Sequence, residues 1–216
     1  MSGSLSVERI LFLASQSPSR QMLLREAEIP FTLVPQDADE AVCDWNLPLK
    51  QLVLSIARYK MEHVLLPDGQ DGQVAFVLTA DTLSQDMNGK VQGKPVDRAD
   101  AIAKIKSARA GSRLCTAFCL ERRAWSRRSP EGEDGWQVQE RIERTVETSY
   151  RFVIPDEWID IYLERSPGLR ASNAIAVEGY GGQFLQEVNG SYSTIVGLPM
   201  FELREALTEL GFFEAD

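Results

Sequence analysis

Two short stretches of this sequence, Ile10-Leu11-Phe12-Leu13-Ala14 and Val74 to Ala80, are almost wholly apolar, with no alternation between polar and apolar residues. A strand that is apolar on both faces must be covered on both, and the usual cover is helices packed on either side of a largely parallel sheet. The first run stops at Ser15-Gln16-Ser17-Pro18, where Ser17 is a good N-cap, Pro18 suits the first helical position, and Met22, Leu23 and Leu24 open an apolar stripe. The second run delivers Asp81-Thr82 to what reads as the carboxyl end of a buried strand, the rim where open α/β sheets place their ligands.

The intervening segments fit this plan. Phe31 to Val34 reads as a second strand leading into the acidic loop Asp37-Ala38-Asp39-Glu40. From an Asn46 cap and Pro48, the residues Leu49, Leu52, Val53, Ile56 and Ala57 recur at helical spacing until Pro67-Asp68-Gly69 ends the pattern. Asp97 caps a further helix with Ala101, Ile102 and Ile105 as its stripe and Gly111 as its stop. Pro155 to Leu163 and Pro199 to Leu210 read as helices, the latter closed by Gly211.

The period then changes: Trp136, Val138, Ile142, Val146, Thr148, Tyr150 and Phe152 fall on even positions, which predicts a half-exposed strand. Leu114 to Trp125 is its expected antiparallel partner, joined through the polar loop Ser126 to Gly135. The expectation is an α/β fold with a mixed twisted sheet and flanking helices. With neither linker nor internal repeat, residues 1–216 read as one domain with a smaller lobe.

Composition narrows the function. With 23 Lys+Arg against 32 Asp+Glu the net charge is −9, which disfavours nucleic acid polymers and anionic membranes as partners. One histidine and three cysteines are too few for a four-ligand Cys/His zinc site together with His-based catalysis, or for a disulfide framework. No apolar run reaches the length of a membrane span, and MSGSLSVERI lacks the marks of a secretory leader, so a cytoplasmic location is expected.

Several familiar patterns fail on inspection. Gly89 to Pro95 approaches a P-loop but is one residue short in its spacer and has Pro95 where Ser or Thr would bind the metal. Gly179-Tyr180-Gly181-Gly182 lacks the third glycine of a dinucleotide fingerprint. Cys115 and Cys119 share one strand face without ligand partners and read as core, and the Arg122-Arg123 and Arg127-Arg128 pairs read as a solvated hairpin tip.

Four polar sites remain. Ser15 to Arg20 brings a strand into a helix N-terminus that attracts anions, with Arg20 in a first turn where a cation does nothing for the helix dipole. Lys60 continues the stripe of Val53 and Ile56, so a cation stands where an apolar residue is expected. Asp81 and Thr82 end a buried run, and Lys94 is held before Pro95. The first three have ordinary alternatives: a capped helix with a surface arginine, a snorkelling lysine, a turn-forming aspartate. Jointly, Arg20, Lys60 and Lys94 supply positive charge while Glu40 and Asp81 supply hard oxygen ligands, an inventory suited to a phosphorylated substrate carrying Mg²⁺.

The stretches LASQSPSRQMLL (Leu13 to Leu24), DADE ending at Glu40, ARYK ending at Lys60, TADT (Thr79 to Thr82), GKP (Gly93 to Pro95) and EGYGGQFLQEVNGSYSTIVGLP (Glu178 to Pro199) resemble, in order, those of the Maf family of nucleoside triphosphate pyrophosphatases. The resemblance implies an inosine-triphosphatase-like fold with a cleft between lobes, a cytoplasmic enzyme that is frequently a homodimer, and a divalent cation, Mg²⁺ or Mn²⁺. It assigns phosphate contacts to Ser15 and Arg20, metal or water handling to Glu40 and Asp81, and triphosphate neutralisation to Lys60 and Lys94. Asp81 is the family's proton acceptor, and the products would be a nucleoside monophosphate and pyrophosphate. Ser19, Thr82 and Glu178 fall at positions assigned to substrate contact.

The departures bear on the base. Ser19 stands where many relatives carry the second arginine of SPRR, and Ser172 to Ala176 replaces a glycine-rich segment. At Glu178 the resemblance is to the 7-methyl-GTP type, whose members carry glutamate where the dTTP/UTP type carries glutamine. Base-edge chemistry agrees, since one carboxylate can accept both adjacent donors of guanine, whereas thymine and uracil suit an amide. Thr82 points the other way. The sequence thus leans to a guanine-type triphosphate, with a dTTP/UTP pyrophosphatase as one alternative and a nucleotide-binding regulator of cell division with vestigial hydrolysis as another.

Overall fold

The structure, a computed structural model, describes residues 9–127 and 134–214. Strand β1 (Ile10–Leu13) leads into helix α1 (Pro18–Glu26), followed by the short β2 (Thr32–Leu33) and helix α2 (Leu49–Glu62). Then come β3 (Val74–Asp86), β4 (Val91–Gln92) and α3 (Arg98–Ala108). The long hairpin is β5 (Ser112–Ser126) and β6 (Gly135–Phe152). Helix α4 (Ile159–Arg165), β7 (Leu185–Asn189), α5 (Tyr192–Val196) and α6 (Met200–Glu209) complete the chain. The sheet is seven-stranded and mixed, in the order β2-β1-β3-β5-β6-β7 with β4 also on β3. The Arg127-Arg128 pair and the tip of the hairpin loop fall partly outside the described residues.

The apolar runs are buried on both faces, as their composition requires. Phe76, Leu78 and Ala80 of β3 face the larger core with α1, α3 and α6, while Val77 and Leu83 face two smaller clusters under α2. Cys115 and Cys119 lie in those smaller clusters, fully buried. Helices α1 and α3 begin at side-chain caps. Ser17 Oγ accepts from the amide of Arg20, and Asp97 Oδ1 accepts from that of Asp100 at 2.8 Å. Helix α2, by contrast, begins after Pro48 with no side-chain cap, so Asn46 does not cap it, and it ends at Glu62, short of Pro67. Asn46 is instead drawn to the Asp44 side chain, which accepts from its amide at 3.0 Å.

The main correction concerns β3. Its apolar run ends at Ala80, yet the strand continues to Asp86, so Asp81 and Thr82 lie inside it and not at its end. What ends near Ala80 is the neighbour. Parallel β1 pairs with β3 only from Ile10↔Ala75 to Leu13↔Leu78, and β4 takes up the same edge only at Ser84↔Gln92. Strand β5 meanwhile lines the opposite edge throughout, from Val74↔Ala124 to Asp86↔Ser112. Between Leu78 and Ser84 the edge of β3 therefore lacks a strand partner. Polar residues appear in the sequence there because the sheet has a gap.

Candidate active site

The gap is the floor of a cleft of about 1120 Å³ lined by Ser15, Ser19, Arg20, Glu40, Lys60, Asp81, Thr82, Lys94 and Glu178 among others. Thus every residue the sequence singled out for catalysis or binding borders one space. Two chain turns face each other across it: β1 runs into Ser15 and α1 from one side, and β4 runs into Gly93 and Lys94 from the other.

Because successive strand residues point to opposite faces, Asp81 and Thr82 serve different halves of the cleft. Asp81 faces α2. There Lys60 Nζ lies 2.7 Å from Asp81 Oδ1 and 2.9 Å from Glu40 Oε1, so one ammonium ties the two carboxylates together. Lys60 is 8% exposed and Asp81 7%, a burial that neither charge tolerates without a partner. The stripe position of Lys60 is thereby explained: it is a buried cation directed at the gap, not a snorkelling surface lysine. Asp81 Oδ2 is buried and has no hydrogen-bond partner.

Thr82 faces α1 and α5. Its Oγ1 accepts from Arg20 Nη2 at 3.1 Å, while Arg20 Nη1 donates to Ser15 Oγ at 3.1 Å and Nε to the carbonyl of Gly197 at 2.8 Å. Burial pulls the Arg20 guanidinium below its ordinary pKa, opposed by the Asp81 and Glu40 carboxylates. Every hydrogen-bond acceptor on Arg20 is a neutral oxygen, so its charge and its two remaining N–H groups stay available to an anion.

The outer cleft carries Lys94, Glu178 and Ser19. Lys94 is exposed, and its carbonyl accepts from Lys104 Nζ of α3 at 3.3 Å, which fixes the loop. Ser19 Oγ donates to Glu178 Oε1. Sequence reasoning missed Arg170, Trp45, Thr116 and Gly197. Arg170 and Trp45 line the cleft from segments with no helical or strand period, so no pattern marked them. Thr116 reaches Thr82 through pairing register and Gly197 reaches Arg20 through chain reversal, neither of which a local signal reveals.

Among the described residues no group of three or more His, Cys, Asp or Glu side chains could hold a metal by protein ligands alone. Two carboxylates with one oxygen unpartnered nevertheless suit Mg²⁺ or Mn²⁺, since Mg²⁺ in particular takes one or two carboxylates and fills its shell with water and phosphate oxygens.

Fold and cleft together define an α/β protein whose interrupted sheet edge presents a lysine-bridged carboxylate pair on one face and an anion-seeking arginine on the other. The chain belongs to the family described as Maf-like protein, which it matches over residues 10–210. It is 36% identical over 205 residues to a dTTP/UTP pyrophosphatase of Anaeromyxobacter dehalogenans (strain 2CP-C), covering 94% of each chain. It is 32% identical over 213 residues to the dTTP/UTP pyrophosphatase of Colwellia psychrerythraea, covering 97% of this chain and 92% of the relative. A third similar protein, the dTTP/UTP pyrophosphatase of Bdellovibrio bacteriovorus, is 31% identical over 201 residues.

Proposed function

We propose that this Maf-like chain, a nucleoside triphosphate pyrophosphatase, hydrolyses the α–β anhydride of a pyrimidine nucleoside triphosphate to the monophosphate and pyrophosphate. The observation that carries the reading is the buried Lys60 bridge, which holds Glu40 and Asp81 together while leaving Asp81 Oδ2 without a partner. Asp81 Oδ2 accepts the proton of the attacking water as its oxygen bonds to the α-phosphorus, and the bond from that phosphorus to the bridging oxygen breaks. Lys60 fixes the Asp81 carboxylate so that Oδ2 keeps its aim. Arg20 and Ser15 hold the phosphate chain from the opposite side of β3, and Lys94 and Arg170, which line the same cleft, offset charge gathering on the departing pyrophosphate. Glu40 and Asp81 would hold a Mg²⁺ or Mn²⁺ ion, which when bound supplies Lewis acidity toward the phosphate oxygens.

The pyrimidine assignment draws on the names of the similar proteins and on Glu178. Ser19 already occupies Oε1, which leaves Oε2 as the better acceptor, and thymine or uracil offers one N3–H where guanine offers two adjacent donors. The guanine-type lean draws on the resemblance of Glu178 to the 7-methyl-GTP type and on one carboxylate accepting both guanine donors. Turnover of dTTP, UTP, GTP and 7-methyl-GTP by the wild type and by Glu178→Gln tests the assignment. The wild type is expected to prefer dTTP and UTP, and Glu178→Gln to keep that preference. A wild-type preference for 7-methyl-GTP that Glu178→Gln abolishes would overturn it.

A further inference from the structure

The hydroxyls behind Arg20 form a chain whose hydrogen-bond directions are fixed. Thr82 and Thr116 are directly opposite across β3 and β5, and their hydroxyl oxygens are 2.9 Å apart. Thr116 Oγ1 also donates to the carbonyl of Thr194 in α5 at 2.8 Å. A hydroxyl has one proton. Thr116 gives its proton to a carbonyl that only accepts, so toward Thr82 it must itself accept. Thr82 therefore donates to Thr116 and turns its lone pairs toward Arg20, whose guanidinium only donates. The order is Arg20 Nη2–H to Thr82, Thr82 O–H to Thr116, Thr116 O–H to the Thr194 carbonyl. Thr116 and Thr194 are fully buried, so water is not at hand to replace a missing member.

We infer that Thr116 is a positioning residue for substrate phosphate: it touches no ligand, but by accepting the Thr82 proton it sets the Thr82 rotor and so the plane of the Arg20 guanidinium. This rests on the reading of Arg20 as a phosphate holder. Without the Thr116 hydroxyl, Thr82 is free to rotate its proton toward the guanidinium or the cleft, and Nη2 loses its fixed acceptor. The guanidinium is then held by Ser15 and Gly197 alone, so the two N–H groups left for phosphate are aimed less tightly, while the Lys60, Glu40 and Asp81 cluster on the other face of β3 is untouched.

The test compares Thr116→Val, which keeps the shape and removes the hydroxyl, with Thr116→Ser, which restores it. Inorganic tripolyphosphate binding is followed by calorimetry, and KM and kcat with dTTP are measured alongside. Thr116→Val should weaken tripolyphosphate about 3- to 10-fold and raise KM for dTTP by a similar factor, the worth of about one hydrogen bond, with kcat changed less than twofold. Thr116→Ser should return both to within twofold of the wild type. Thermal denaturation of the two variants separates folding from positioning, because a destabilised but correctly aimed protein keeps its tripolyphosphate affinity below its transition. Unchanged affinity in Thr116→Val, or a loss that Thr116→Ser does not restore, would overturn the inference. If the wild type turns over no triphosphate, the pyrophosphatase reading fails, and the tripolyphosphate titration still decides the role of Thr116.

Discussion

Lys60 is a buried cation that answers two carboxylates at once. Buried among Leu52, Val53 and Ile56 of α2, it is held in place by two carboxylates, and those carboxylates are held together by it. The arrangement makes Asp81→Asn informative. The amide keeps a hydrogen-bonding oxygen for Lys60 but accepts no proton at the other atom, so folding should survive while kcat falls by about 10²- to 10⁴-fold, the usual worth of a positioned base. Steady-state kinetics with circular dichroism check this, and a folded variant of undiminished kcat would remove Asp81 from the chemistry. At this scale the site was largely legible in the sequence: a lysine on an apolar stripe and an aspartate after an apolar run are anomalies that residue spacing exposes. Thr116 was not legible, since a threonine in a buried strand is unremarkable until register shows what it faces.

Among the elements, β3 binds the site together. Its length beyond β1 converts a strand interior into a cleft floor, and the sequence registered that change as the end of the strand. Local pattern reports where burial changes, and the cause of the change, here a missing neighbour between β1 and β4, is a tertiary fact. The two-residue strands β2 and β4 were likewise at or beyond the limit of periodicity. The turn after α5 shows the same dependence on context. Gly197 has φ of 124° and presents its carbonyl to Arg20. Gly197→Ala forces an L side chain into that backbone and should cost about 1–3 kcal/mol of stability while displacing the carbonyl. The expected outcome is a lower denaturation midpoint together with a raised KM for triphosphate. A raised KM without loss of stability, or the reverse, would separate the turn from Arg20.

For the whole molecule, net charge and local charge are distinct. The −9 of the chain still weighs against polyanion binding, yet the cleft gathers Arg20, Lys60, Lys94 and Arg170 around one space of about 1120 Å³. The core adds a pH signature. Burial raises the pKa of Cys115 and Cys119 to about 12 and of Tyr162 to about 12, while unfolded thiols and phenols ionise near 9 and 10. A folded pKa above the unfolded one means that the native state retains protons the unfolded chain loses, so this stability is complete below about pH 9 and declines as pH rises toward 12. Urea midpoints should therefore fall between pH 9 and 12, and a midpoint constant over that range would contradict the burial of these groups. Hydrolysis in ¹⁸O-labelled water tests the central claim most directly, because the position of the label reports which phosphorus was attacked. With dTTP and Mg²⁺, the arrangement around Asp81 predicts label in the nucleoside monophosphate and none in the released pyrophosphate. Label in pyrophosphate, or release of orthophosphate, would contradict it.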